Sequence, residues 1–476
     1  MSRLASLLAI LAAAVVAGCG GGSGGSAAGS GGATVGIALT DAPTTEYDEA
    51  LATITSIELL GNGGPVPVFQ GEETVDLLKL ADYAELFTVA EDVPPGTYDK
   101  IRLRVTALRL VDRDANGNVL ADVAADIVAN GKLDLNPRGP FTLAAGDSLV
   151  ISLDFDVAKS LKVTTTGNGR VIVRPVIFVD ILPTGPLGKL ARVHGTVDAV
   201  GDDGSFRLCQ TALVAQGEAD DDLAPRERCL RVVTDGATGV FGEDGLPQAD
   251  PVAVGDPLTV IGRLAPLPPD EDDGDDEAAD ADRFTLLAFV IESGPLGTYA
   301  RLRGAATTVV DAGTGRFDLD VAPAQGLVTT GPLPTQLFPK SRLFSRAGTE
   351  LTRTAIQPGR RLVADAVLAL GAGPAGADLL RSPLVIVDLA PAPDAVSGTV
   401  LTLDAITESL VLATDAGDRC VDAASADIFL VGTTGDRFES RRGEFADLGV
   451  GQALTAFGPE GIDGCLVAET IIASDD

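Results

Sequence analysis

Apolar residues in this chain fall in short runs, most of them rich in Val, Ile, Leu and Thr and closed by Gly, Pro, Asp or Asn. Side chains alternate across a strand, and turn residues between such runs mark hairpins, so the pattern predicts an all-β protein. In the first third, Thr34–Leu39, Ala52–Leu60, Lys100–Leu110, Ser148–Phe155 and Arg170–Leu182 read as strands. One segment breaks the rule. Leu77, Leu78, Leu80, Ala81, Ala84 and Phe87 recur near a helical period, so Val75–Phe87 is expected to be a short amphipathic helix stopped by Pro94 and Pro95.

The rest of the chain repeats itself. Val193-His194-Gly195-Thr196-Val197, Leu302-Arg303-Gly304-Ala305-Ala306 and Val396-Ser397-Gly398-Thr399-Val400 each open a module. A second strand follows (Phe206, Phe317 and Leu410 mark it), then a hydrophobic–Gly–x–x–hydrophobic strand around Gly255, Gly359 and Gly451, then a strand carrying Ile291, Ile386 or Ile471. Module starts lie roughly a hundred residues apart, a domain-sized period rather than a solenoid one. Several short strands per module suggest small barrels, a solution that removes open sheet edges.

The first residues carry an address. Arg3 precedes an apolar stretch from Leu4 to Val16 that is too short to span a bilayer, followed at once by small residues. Val16-Ala17-Gly18-Cys19 resembles the lipobox of bacterial lipoproteins. That resemblance implies cleavage after Gly18 and lipid on Cys19, and Gly20 after it implies sorting to the outer membrane. Gly20–Gly32 is nearly all Gly, Ser and Ala, a flexible tether. The expected organisation is a signal peptide (1–18), a lipidated Cys with tether (19–32), a β-sandwich domain (33–185) and barrel-like repeats at 190–295, 299–391 and 394–476, set out as a rod.

Two further resemblances attach to these units. Ala38-Leu39-Thr40-Asp41-Ala42-Pro43, Pro95-Gly96-Thr97-Tyr98-Asp99-Lys100-Ile101-Arg102-Leu103, Leu153-Asp154-Phe155-Asp156-Val157-Ala158-Lys159-Ser160-Leu161 and Arg174-Pro175-Val176-Ile177 make the first domain similar to domain-of-unknown-function family 4382. That likeness implies a β-sandwich envelope domain and no chemistry. The order of landmarks in the repeats resembles domain-of-unknown-function family 5666, and the middle copy diverges most.

Beyond Cys19, four cysteines fall in two distant pairs, which suggests bridges Cys209–Cys229 and Cys420–Cys465 in an oxidising compartment. Close Cys spacing or His partners, which a zinc site needs, are missing. The formal net charge of −33, the absence of Trp and only four Tyr exclude nucleic acid as a partner. The single histidine, His194, lies in a strand with no nucleophile or carboxylate beside it in sequence, and reads as a strand-face residue. Gly371-Ala372-Gly373-Pro374-Ala375-Gly376 spells a nucleotide-loop pattern, but Pro374 and the strand that follows make it a hairpin loop. Asp270–Asp282 is an acidic run of the solvated kind.

Calcium is the one ion with a candidate loop. Asp112, Asp114, Asn116 and Asn118 place oxygens at alternate positions around Gly117, as a calcium loop does, although the twelfth position is Val123 rather than Glu. Asn116-Gly117 is equally a hairpin signal. No cofactor motif and no catalytic set stands out. The reading is a non-enzymatic, lipid-anchored binding or structural module of the cell envelope, held to the membrane by its lipid and facing an unidentified protein or polysaccharide. The alternatives are a calcium-dependent adhesion or matrix component, and a carboxylate-based hydrolase.

Overall fold

A computed structural model describes the chain except residues 1–31, 42–46, 62, 115–117, 156–163, 166–170, 174, 176, 184, 212–226, 251, 267–283, 323–330, 389–393, 435–436 and 476. The described chain is all-β, as its alternation predicts.

The first unit runs through β1 (Ala33–Thr40), β2 (Glu49–Gly61), β3 (Gly64–Asp76), β4 (Glu85–Val93), β5 (Gly96–Arg113), β6 (Val119–Ile127), β7 (Lys132–Leu135), β8 (Phe141–Leu143), β9 (Ser148–Asp154), β10 (Thr164–Thr165), β11 (Val171–Val173) and β12 (Phe178–Leu182). One sheet has the order β12-β9-β1-β4, and the other is built on β5, which pairs with β2, β6, β7 and β8. Their facing apolar side chains form one core, among them Ile37, Leu39, Ile54, Ile57, Ile101 and Leu103.

Every residue of β1 is buried, and the reason is written in its sequence. Val35, Ile37 and Leu39 point into the sandwich core, whereas Ala38 joins the core of the next unit. On that second face Gly36 lies under the ring of Phe284: a Cβ there would sit 2.9 Å from the ring's Cζ. Large residues on one face and small ones on the other let a single strand serve two cores.

The helix expected over Val75–Phe87 does not form. Val75 and Asp76 finish β3, Leu77–Ala81 makes one 3-10 turn, and Glu85 begins β4. Asp76 caps the turn by accepting the Leu78 N–H at 3.3 Å. The apolar spacing reflects burial against several elements rather than one helical face, since Leu77, Leu80, Tyr83, Ala84 and Phe87 are all buried. The Ala84 N–H donates to the Leu190 carbonyl at 2.7 Å, a β-bridge that competes with helix continuation.

The first repeat contains β13 (Ala191–Val200), β14 (Phe206–Thr211), β15 (Glu227–Val233), β16 (Gly239–Phe241), β17 (Pro257–Pro266) and β18 (Phe284–Ser293). Pairing of β15 with β18 closes a ring, and β16 lies along β18. The second repeat, β19 (Ala300–Ala306), β20 (Arg316–Val321), β21 (Leu333–Ser345), β22 (Arg361–Ala369) and β23 (Leu379–Val387), is a closed barrel. The third contains β24 (Asp394–Asp404), β25 (Ser409–Thr414), β26 (Gly417–Asp422), β27 (Asp427–Thr434), β28 (Arg437–Gly443), β29 (Ala453–Gly458), β30 (Leu466–Val467) and β31 (Thr470–Ser474).

Geometry explains the repeated glycines. A Cβ on Gly195, Gly304 or Gly398 would lie 2.5, 2.2 or 2.4 Å from the carbonyl oxygen of Cys209, Asp320 or Ala413 on the neighbouring strand, so each first strand needs a glycine where its partner crosses it. The second landmark turns on a left-handed glycine (φ +91°, +81° and +89° at Gly255, Gly359 and Gly451). Each of these donates its N–H back to the first strand, to Val197, Ala306 or Val400.

Disulfides join Cys209 to Cys229 across directly paired residues of β14 and β15, and Cys420 on β26 to Cys465. The rod expected from the sequence is overturned by one parallel pairing. Strand β28 adds to β7 with Phe438 opposite Leu133 and Ser440 opposite Leu135, so the last repeat returns to the first unit and extends its sheet. Phe438 is buried in the sandwich core.

Candidate functional site

Strand register shows that the repeats dock through one common face. Phe241 on β16 stands opposite Glu292, Phe344 on β21 opposite Ile386, and Phe429 on β27 opposite Ile472. The three phenylalanines therefore occupy the same position of the repeat, on the strand running parallel to the final one. In the first two repeats these faces meet each other. Phe241 and Phe344 are fully buried in a cluster with Leu190, Tyr299, Ile261, Val290, Val363, Leu384 and Ile386, drawn from both barrels. Phe289 stacks on Phe344 at 5.0 Å between ring centroids, and Phe241 on Phe338 at 6.1 Å. In the third repeat the same face meets the sandwich instead, and Phe429 packs on Phe178 of β12 at 4.3 Å.

Between the first two repeats the apolar face surrounds a buried ionic cluster. Arg192 on β13 reaches Glu292 on β18 at 3.1 Å and Asp365 on β22 at 3.3 Å. Arg301 on β19 lies 3.7 Å from Asp365 and stacks over the Tyr83 ring at 4.4 Å. The Tyr83 hydroxyl donates to Asp365 at 2.8 Å. Three units thus share one carboxylate. Both acids have side chains at 0 % exposure. Arg192 and Arg301 are equivalent positions, each opposite the residue of the third strand where the barrels meet (Ile261 and Asp365), so the two barrels contribute matching arginines to one junction.

Electrostatics here are set by burial. Removal from water pushes Glu292 up to about 8, reinforced by the charge of Asp365, while Arg192 and Arg301 pull the other way. Its Oε1 makes no hydrogen bond among the described residues. Burial also opposes the Arg192 cation, yet Asp365 and Glu292 hold it above the ordinary arginine range. Burial first and Asp365 second raise Tyr83, and burial with Glu292 raises Tyr299.

A second seam binds the sandwich to both barrels. Arg303 reaches Asp82 at 2.8 Å and Arg346 reaches it at 3.8 Å. Lys189 donates to the Asp41 carbonyl at 2.6 Å, and burial lowers this lysine below its usual range despite Asp154, Asp41 and Asp82 around it. Further along the barrel contact, Arg263 donates to the Gly348 carbonyl and Lys340 to that of Thr238.

The residues singled out in the sequence fall elsewhere. Asp112 ends in β5, and Asp114 uses both carboxylate oxygens to close the hairpin, accepting the Asn118 N–H at 2.8 Å and its Nδ2 at 2.9 Å. Asn116 lies outside the described residues, as do Cys19 and the Asp270–Asp282 run. Among the described residues no group of three or more His, Cys, Asp or Glu is placed to hold a metal ion. No described helix is long and apolar enough to cross a membrane. His194 is half-buried, its Nδ1 lies 3.0 Å from Thr259 Oγ1, and burial followed by Arg192 lowers its pKa. Gly371–Gly376 connects the antiparallel strands β22 and β23. An open cleft of about 570 Å³ lies beside β12, lined by Pro137–Phe141, Val179–Leu182 and Gly188. Among the described residues its one lining carboxylate is Asp180.

Sequence reading missed the junction, although a signal for it existed. Asp365 interrupts the apolar strand Leu362-Val363-Ala364-Asp365-Ala366-Val367, and Glu292 follows Val290-Ile291. A charge inside a strand of this kind is expensive unless a partner waits for it.

No curated protein matches the chain. The family model described as Domain of unknown function (DUF4382) matches residues 32–175, so the chain carries that domain in its sandwich unit.

Proposed function

We propose that this protein is a lipid-anchored, non-enzymatic binding or structural module of the bacterial cell envelope, held at the outer membrane through Cys19. The observation that carries the reading is the location of the ionisable groups with the most perturbed environment. Such groups often mark catalytic sites. Here Glu292 and Asp365 have side chains at 0 % exposure between units and share Arg192, and with Tyr83 they hold three units together. Among the described residues the open cleft beside β12 has one carboxylate, where a hydrolase of the acid–base kind uses two. Two disulfides favour an oxidising compartment. The repeated glycines and the shared docking face support reading the three repeats as copies of one module, of the kind that family 5666 resembles.

The anchor is tested by expressing the full chain and the Cys19→Ser variant in a Gram-negative host with an alkyne-tagged fatty acid. The expected result is label on the parent chain alone, with the parent in the membrane fraction and the variant released from it. Equal release of both would remove the lipid anchor. The non-enzymatic reading is tested by affinity capture on envelope fractions, where retention of one saturable partner supports it. Turnover of an ester or glycoside by the purified chain that is lost with Asp180→Asn would contradict it.

A further inference from the structure

We infer that the joint between the first two repeats is a proton-linked clamp, in which uptake of one proton by the Glu292–Asp365 carboxylate pair tightens docking and its release loosens it. The inference is independent of the proposed function. It rests first on geometry: two carboxylates from different repeats, both at 0 % side-chain exposure, share Arg192 at 3.1 and 3.3 Å. Asp365 also takes the Tyr83 hydroxyl at 2.8 Å and faces Arg301 at 3.7 Å. Among the described residues Glu292 pairs with Arg192 alone, against two arginines and a hydroxyl for Asp365; an oxygen of each acid is buried without a hydrogen bond. Of the two acids it is the one whose charge is poorly compensated.

Among the described residues, charged and titratable groups face Glu292 from both barrels and the sandwich. Arg192 comes from β13, Asp365 from β22, Arg301 and the preceding Tyr299 from the start of the second barrel, and Tyr83 from the sandwich. Within its own barrel its register partners are Thr259 on β17 and Phe241 on β16. His194 is bonded to Thr259 and titrates below its ordinary value, outside the window used below.

The sign follows from linkage. Docked, Glu292 is pushed up to about 8; once the barrels part it returns toward the ordinary 4.5. The docked state therefore holds more protons between these values, and docking weakens as pH rises through that range, by at most about tenfold per pH unit for one proton. Above about pH 8 the dependence stops.

The test is hydrogen exchange of the chain from Gly32 onward at about pH 6.5 and about pH 8.5, corrected for intrinsic base catalysis. With docking limiting exchange at the joint, protection in Phe284–Ser293 and Arg361–Ala369 should fall roughly twentyfold between the two, while Asp427–Thr434 in the third repeat stays level. Glu292→Gln, which fixes the uncharged form, should abolish the fall and keep the joint protected at the higher pH. Protection independent of pH in the parent chain, an equal fall in the third repeat, or an unchanged fall in Glu292→Gln would each overturn the clamp. The first two readings need no variant.

Discussion

The joint between the first two repeats and the joint between the third repeat and the sandwich use the same face of the same module, yet they place their charges differently. At the first joint, Phe241 and Phe344 surround Arg192, Arg301, Glu292 and Asp365. At the second, the positions equivalent to Arg192, Asp365 and Glu292 are Ala395, Phe457 and Ile472, so these positions carry no charge there; strand β28 adds to β7, and the ion pairs Lys100–Glu439 at 3.1 Å and Arg437–Asp134 at 3.9 Å lie along that strand seam instead. The aromatic anchor makes the face adhesive wherever it occurs. The charges decide which partner it accepts, because a buried carboxylate is tolerated only opposite its arginines. At the second joint the equivalent positions are uncharged, and its direction is fixed by the pairing of β28 with β7.

The comparison breaks most sharply at Asp365. Asp365→Ala leaves the half-buried Arg192 and Arg301 without their shared carboxylate and the Tyr83 hydroxyl without its acceptor, and should destabilise the docked barrels by about 3 kcal/mol, read as a lower denaturant midpoint for the first two repeats. Phe344→Ala empties a fully buried position and should cost a similar amount, about 3–5 kcal/mol. Phe429→Ala should cost less, about 2–3 kcal/mol, because its partner Phe178 is only half-buried. It should release the third repeat while leaving the first joint intact; equal loss at both joints would argue against separate docking.

A comparable effect is expected inside a single module. Replacing Cys209 and Cys229 by Ser should lower the stability of the first repeat by roughly 3 kcal/mol through loop closure, with no change in the third. Gly36→Val sharpens the contact between sandwich and first barrel: its side chain meets the Phe284 ring, and overpacking of this kind costs about 1–3 kcal/mol. Thermal unfolding followed by circular dichroism checks both.

The mildest effect concerns acid. Asp203, Asp311 and Asp404 sit in the first hairpin of each repeat. Asp203 and Asp311 are held below the ordinary carboxylate range first by the hydroxyls of Ser205 and Thr314, and Asp404 by the backbone N–H of Ile406. A depressed carboxylate stabilises the fold at neutral pH and loses that contribution as pH falls below the usual carboxylate value through its own. All three repeats should therefore lose a little stability together once pH falls below the ordinary 3.8, whereas the first joint gains over a different range, as pH falls from about 8 toward 4.5. Opposite trends in one pH series of melting temperatures would display the difference.

Alternation and turn residues made the strands, the repeat and the cysteine pairs legible, because each depends on local spacing. The 3-10 turn at Leu77 was not legible, since its apolar residues answer to Leu190 and neighbouring sheets rather than to a helical face. The rod failed for the same reason: nothing in the sequence of β28 marks β7 as its partner. Of the candidate site, Asp365 and Glu292 were visible as charges in apolar strands, whereas the equivalence of Phe241, Phe344 and Phe429 emerges only from register. Repeats whose aromatic anchors fall at different distances from the shared glycines hide it.

The central claim is that the four units form one body closed by the return of the last repeat. Small-angle X-ray scattering from the chain beginning at Gly32 tests it most directly. A compact particle of this length has a radius of gyration of about 22–25 Å, and the account predicts a value near that range, rising on Phe429→Ala. A radius well above about 30 Å in the parent chain, with no change in the variant, would mean that the units are strung out and that neither joint closes in solution.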